Sequence, residues 1–290
     1  MIDDARFNHR YINVNGVRLH FVEMGEGPVV LFLHGFPEFW YTWQNQLPVI
    51  ADAGYRAVAL DMRGFNESEK PNGIQSYRMQ EVVSDIAALC QGLTNGPVIL
   101  VGRDIGGIIS WYVAMLHHEL LSKLIIINGP FPAVFARKFW RSPQFLKSWY
   151  VFGHLLPWLP EFIWSAFNFA MLRFVLRHCT CNRNAFSEEE IDRHVEALAK
   201  PGALTAGLNY YRAVPIPFGL TTWSREAKPV TVPTLLIWGE RDVSLTSSLI
   251  AGTEQWVKDL RIERLKDASH WPQNDSPKNV NRLILEFLRE

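Results

Sequence analysis

The chain has 290 residues, with 29 Lys plus Arg balanced by 29 Asp plus Glu, and charged residues make up 20% of it. That balance excludes disorder driven by charge and gives no overall pull toward nucleic acid or anionic lipid. With 48% hydrophobic residues, a chain of this length buries roughly three quarters of the surface its unfolded form exposes, enough for a large core in one domain or two.

The N-terminus carries Asp3, Asp4 and Arg6 and no apolar run, so no signal peptide or anchor is expected and the cytoplasm is the expected compartment. Short apolar runs then alternate with helical ones. Strands are expected at 17–21, 29–33, 57–60, 98–101 and 124–127. A helix is expected at 77–93, where Met79, Val82, Val83, Ile86, Leu89 and Cys90 recur at three- and four-residue spacing.

The stretch 131–228 has no strong strand pattern and several helical ones, broken at Pro143, Pro157, Pro160, Pro201, Pro215 and Pro217. It is too long for a structureless loop inside a compact domain, and it predicts a helical cap over the sheet's edge. Within it, 162–176 is shorter than a membrane span and contains Arg173, which predicts a buried helix; 187–192 reads as a capped helix start. Aromatic residues concentrate here: 19 lie between Phe131 and Trp223, in about a third of the chain, against 18 everywhere else. The alternation then resumes with a strand at 234–238, a helix at 247–257, a strand at 262–265, and a last helix with Ser276 as N-cap and Pro277 at its first position. The pattern predicts an α/β fold with a mostly parallel central sheet flanked by helices, its core formed by 1–130 and 229–290 and its cap by 131–228.

Cys90, Cys179 and Cys181 are too few and too irregularly placed for a disulfide framework or a zinc site. Seven of the nine histidines, all except His34 and His270, show no ligand spacing either, and no metal or other cofactor is expected.

The sharpest chemical feature is Gly102-Arg103-Asp104-Ile105-Gly106-Gly107, lying between a strand and a helix. A Gly-x-nucleophile-x-Gly turn holds its central residue out at the end of a sheet, and here that residue is an aspartate. By itself the string is weak, since an Asp before a helix is most often an N-cap. Its company raises it. His34-Gly35-Phe36-Pro37 follows the strand at 29–33, where backbone N–H groups of Phe36 and Ile105 can make an oxyanion site; Asp242 follows the strand at 234–238, and His270 follows the strand at 262–265. Nucleophile, acid, histidine, each after a strand, is the chain order of the α/β-hydrolases. In that arrangement Asp104 is the nucleophile, His270 the general base and Asp242 the residue that orients it. No serine occupies the elbow, which disfavours a serine esterase or lipase. His34 is expected to shape the oxyanion loop.

The sequence resembles the α/β-hydrolase fold epoxide hydrolases, and more broadly the aspartate-nucleophile group that they share with haloalkane and fluoroacetate dehalogenases. Besides the motifs above, Phe36-Pro37-Glu38-Phe39-Trp40 and Asp61-Met62-Arg63-Gly64-Phe65 are similar to strings that recur in that family, and the similarity runs over nearly the whole chain. Ser148-Trp149-Tyr150 and Leu208-Asn209-Tyr210-Tyr211-Arg212 resemble the cap segments holding the two ring-opening tyrosines, which would be Tyr150 and Tyr211, with Tyr210 competing for the second place. The resemblance implies an epoxide hydrolase that takes a small apolar epoxide and water, with no nucleic-acid or membrane partner, acting as a monomer or homodimer. Phe36, Phe131, Trp149 and Phe152 are expected to wall its substrate pocket. Two positions depart from the family pattern: Arg103 and Ile105 stand where His and Trp usually flank the nucleophile. Loss of that Trp, with Phe36 where haloalkane dehalogenases carry Asn, and the lack of arginines at 105–108 to grip a haloacetate together place a haloalkane or haloacetate dehalogenase second, and a non-catalytic ligand-binding relative third. Arg103 is expected to point away from Asp104, because neighbours in a tight elbow project apart.

Overall fold

The computed structural model describes residues 6–214 and 225–290. Asp3, Asp4, the helix breaks at Pro215 and Pro217, and the last aromatic of the dense stretch, Trp223, lie outside the described residues.

Eight strands form one sheet: β1 (Asn8–Val14), β2 (Val17–Met24), β3 (Val29–Leu33), β4 (Arg56–Asp61), β5 (Val98–Arg103), β6 (Leu121–Ile127), β7 (Thr234–Gly239) and β8 (Leu260–Leu265). Their order is β1-β2-β4-β3-β5-β6-β7-β8. From β4 onward all neighbours are parallel, while β2 runs antiparallel to both β1 and β4. β3, β5 and β7 are buried at every position, as parallel strands covered on both faces must be. Alternate residues divide between two cores. Leu31 and Leu33 face helices α2 (Met79–Leu93) and α3 (Ile105–Leu116), whereas Val30 and Phe32 face α1 (Leu47–Asp52) and the C-terminal helix. This is an α/β-hydrolase fold.

β1 was not among the expected strands. Its exposed and half-buried residues hide the apolar alternation, but Asn15 and Gly16, both with positive φ, form the two-residue turn that closes the β1–β2 hairpin, and that dipeptide was the available signal. The expected helix at 247–257 is replaced by two short 3-10 turns, Ser247–Leu249 and Thr253–Gln255, because Gly252 adopts φ 103° between them.

After β6 the chain forms a run of helices: α4 (Pro132–Phe139), α5 (Gln144–Lys147), α6 (Trp149–His154), α7 (Leu159–His178), α8 (Glu188–Ala199) and α9 (Ala203–Arg212). α8 starts on a capping box, in which the Ser187 hydroxyl accepts from the Glu190 N–H and the Glu190 carboxylate accepts from the Ser187 N–H. α7 corrects an expectation. It holds 162–176, predicted to be buried, yet only Pro160, Trp164, Leu172 and Leu176 are buried, and Ala166–Phe169 leave helical geometry with Phe167, Asn168 and Phe169 at positive φ. After β8 come α10 (Pro272–Asp275) and α11 (Pro277–Arg289), which packs Val280, Leu283, Ile284 and Phe287 against the sheet.

Candidate active site

Asp104 sits between β5 and α3 with φ 53° and ψ −121°, outside the regions that a side chain ordinarily allows. That strain persists because the glycines around it have no room to be anything else. A Cβ on Gly106 would meet the backbone of Leu33 and His34, and one on Gly102 would meet Ser110 and the backbone of Gly106. Gly35 is equally constrained: an added Cβ would lie 2.5 Å from Asp104 Oδ2 and 2.9 Å from Arg103 Nη1. Gly35→Ala is therefore expected to lower stability by about 1–3 kcal/mol and to displace the carboxylate; unchanged thermal unfolding and turnover would contradict it.

The two oxygens of Asp104 are distinguished by their neighbours. Oδ2 accepts a hydrogen bond of 3.1 Å from the Phe36 N–H, while Oδ1 lies 3.6 Å from His270 Nε2. Ile105 is the first residue of α3, so its N–H belongs to the helix end that has no intrahelical acceptor. The His34 ring holds the oxyanion loop in shape: Nε2 accepts from the Met62 N–H at 3.2 Å, and Nδ1 pairs with the Gly35 carbonyl at 2.8 Å. Burial pushes His34 down to about 4, keeping it neutral.

On its other side His270 pairs through Nδ1 with Asp242 Oδ2 at 2.6 Å. Burial opposes ionisation of Asp242, but His270, Asn128 and the Leu245 N–H outweigh it and hold the carboxyl below its usual range. The Ser244 and Leu245 N–H groups both donate to Asp242 Oδ1, at 2.7 and 2.8 Å. Asn128 is a residue that the sequence reading missed. It follows β6 at φ 44°, donates to Asp242 Oδ2 at 2.6 Å and accepts from the Gly239 N–H at 2.8 Å. An Asn-Gly pair directly after a buried strand was the signal available.

Arg103 does not project away from the nucleophile as expected: its Nη1 and Asp104 Oδ2 both border the spot where a Gly35 Cβ would lie, but its donors go elsewhere. It is fully buried, pairs through Nη1 with Glu38, and donates from Nε and Nη2 to the His270 carbonyl at 3.2 and 2.9 Å. Its guanidinium also lies 5.0 Å from the Trp271 ring. Burial pulls it down to about 10, so it stays protonated at neutral pH.

A cavity of about 90 Å³ opens beside Asp104, walled by apolar side chains such as Ile105, Ile108, Phe135 and Val151 and also lined by Tyr150 and Tyr211. Burial and the negative charge of Asp104 raise both phenols above the ordinary tyrosine value. Tyr210 also reaches this wall, but its hydroxyl is engaged elsewhere, donating to the Arg63 carbonyl at 2.9 Å.

None of the four expected pocket residues lines the cavity. Phe131 is fully buried and stacks on Trp256, Phe152 packs against Phe139 and Phe145, and Trp149 points outward with 73% of its surface exposed. Trp149 and Tyr150 are consecutive on α6 and therefore about 100° apart around its axis, so the two side chains leave in different directions. Phe36 supports the site from behind, its ring 5.6 Å from that of Tyr211.

Residues 28–277 match the α/β hydrolase fold family. Over 99% of its length the chain is 37% identical to human "Epoxide hydrolase 4", spanning 81% of that protein. It is 40% identical to the "AB hydrolase superfamily protein YfhM" of Bacillus subtilis, with 97% of each chain covered. Among solved structures, the Bacillus megaterium epoxide hydrolase bound to an inhibitor superposes with a TM-score of 0.89 at 32% identity, covering 97% of this chain and 100% of that one. A strained aspartate elbow on this sheet, and relatives of this kind over nearly its full length, place the chain in the α/β-hydrolase fold family, among the epoxide hydrolases.

Proposed function

We propose that this enzyme opens a small apolar epoxide to a vicinal diol through a covalent ester on Asp104, which water activated by His270 then hydrolyses. The observation that carries the reading is a carboxylate at the elbow facing two raised-pKa tyrosines across an apolar cavity. Oδ1 attacks an epoxide carbon, the carbon–oxygen bond of the ring breaks, and a tyrosine hydroxyl gives the departing oxygen its proton. The new ester keeps Oδ2 as its carbonyl oxygen, already held by the Phe36 N–H. His270 Nε2 takes a proton from water, whose oxygen adds to the ester carbon. The Phe36 and Ile105 N–H groups hold the resulting oxyanion; as it collapses, the imidazolium gives its proton to the departing Oδ1, which leaves on the diol, and the proton on the new Asp104 carboxyl returns to the tyrosinate, restoring both groups. Asp242 keeps the ring oriented and balances the imidazolium.

A single turnover of a styrene-oxide-like substrate in heavy-oxygen water tests this reading. Label is expected in the peptide bearing Asp104, and diol formed with none there would refute the ester. Release of halide from chloro- or fluoroacetate, measured alongside, is expected to be absent, since among the described residues no Lys or Arg lines the cavity to grip a carboxylate.

Tyr150→Phe and Tyr211→Phe are each expected to slow ester formation by about a hundredfold, the scale of a positioned proton donor. Since an acid stays protonated below its pKa and both phenols are raised, ester formation is expected to show no alkaline decline up to roughly pH 10, where an ordinary tyrosine is half ionised. A falling rate between neutrality and that pH, measured by stopped flow, would remove the tyrosines from the role.

A further inference from the structure

The cavity beside Asp104 is mostly apolar, but among the described residues six side chains that line it carry an oxygen. Asp104, Tyr150 and Tyr211 are the groups of the proposed reaction. Tyr77 donates its hydroxyl to the Pro71 carbonyl at 2.8 Å, and Tyr210 donates to the Arg63 carbonyl at 2.9 Å. The sixth is Ser148, which stands immediately before α6, two residues ahead of Tyr150, and is 2% exposed.

Ser148 is held by Gln144, one helical turn earlier and fully buried. The orientation of the Gln144 amide is fixed by its surroundings. The Thr246 N–H, which can only donate, meets the amide oxygen at 2.9 Å, so the amide hydrogens go to Ser148 Oγ and to the Ser244 carbonyl, each at 2.8 Å. Ser244 also donates its N–H to Asp242, so the same loop that steadies the acid steadies the serine through Gln144. Oγ therefore accepts one hydrogen bond and still has its own hydrogen to give, and no atom of the described residues accepts it. A buried donor without an acceptor is unfavourable. The open space that Ser148 borders is the cavity beside the nucleophile, so an acceptor oxygen on a bound molecule would relieve it.

We propose that the preferred substrate is an otherwise apolar epoxide whose substituent carries a neutral acceptor oxygen, an ether or a carbonyl, and that Ser148 donates a hydrogen bond to that oxygen. This rests on the epoxide reading above and narrows it. The acceptor is neutral because among the described residues no Lys or Arg lines the cavity to balance a carboxylate. A plain hydrocarbon epoxide leaves the Ser148 hydrogen unpaired and its contact unused.

The test compares methyl glycidyl ether with 1,2-epoxypentane, which have the same chain length and differ by an oxygen in place of one methylene. The ratio of kcat/KM for the ether to that for the hydrocarbon is expected to fall by about fivefold in Ser148→Ala, the worth of one ordinary hydrogen bond. The change should come as a higher KM for the ether, since a contact away from the breaking bond is made equally in the ground and transition states. Any difference in intrinsic reactivity between the two epoxides cancels when the ratio is compared between the two enzymes, and a poorly folded fraction of the variant cancels because both substrates meet the same active molecules. A ratio that Ser148→Ala leaves unchanged overturns the proposal. If the unaltered chain opens neither epoxide, the proposed reaction fails, and the contact is still read by calorimetric binding of the same two compounds: binding of the ether relative to the hydrocarbon should weaken by about fivefold in Ser148→Ala, and an unchanged relative affinity overturns the proposal on its own.

Discussion

Replacing His270 with Gln is expected to turn the enzyme into one that reacts once and stops. In the proposed reaction ester formation needs Asp104, the cavity and a tyrosine, none of which the substitution removes. Hydrolysis of the ester needs a base within reach of water next to its carbonyl, and His270 Nε2, 3.6 Å from Asp104 Oδ1, is the group placed for that. Gln keeps a similar volume but cannot take the proton, so the second step should fall by about a hundredfold to ten-thousandfold, the range for loss of a positioned general base. The expected result is a burst of substrate consumption equal to the enzyme present, followed by a very slow steady rate, with intact-mass spectrometry showing the chain heavier by one substrate. Asp242→Asn should give a weaker form of the same phenotype, since it leaves the base present but loses the 2.6 Å contact that orients it. Rapid multiple turnover by His270→Gln, or a burst without an added mass, would mean that the base lies elsewhere.

The residues that make this prediction possible were legible in the sequence because their placement is local. A buried strand, a tight turn and a helix start are written in consecutive residues, and Asp104, Asp242 and His270 each stand just after a strand. What was not legible depends on partners far along the chain. Asn128 acts through Asp242 and Gly239, more than 100 positions away, and no spacing rule connects them. The cap shows the same limit in another form. Its helical pattern was readable, but α7 is apolar around most of its circumference, and periodicity cannot say which side such a helix buries. Phe131 and Trp149 therefore read alike in composition, while one is sealed against Trp256 and the other faces outward.

Arg103 departs from the expectation from sequence. It stays close to Asp104, both flanking Gly35, while its donors tie three segments together: the loop after β3 through Glu38, its own elbow, and the loop after β8 through the His270 carbonyl. Glu38 is itself held by the Thr42 hydroxyl at 2.6 Å and the Gln273 amide at 3.4 Å, so the carboxylate has little freedom to follow a missing partner. Both side chains are fully buried. Arg103→Met is therefore expected to lower stability by about 3–5 kcal/mol, since removing one member of a buried pair strands the other charge. The double variant with Glu38→Gln should regain much of that stability, because the stranded charge is gone. It should not regain ester hydrolysis, because the His270 carbonyl still lacks both of its donors and the ring is less firmly set against Asp104. Ester formation, which does not use His270, should be slowed far less, and Arg103→Lys, which can restore one donor and the charge, should recover part of the hydrolysis rate. Denaturant unfolding together with single-turnover measurement of the two steps separates these effects. If the double variant recovers hydrolysis along with stability, Arg103 is a structural residue and does not position the base.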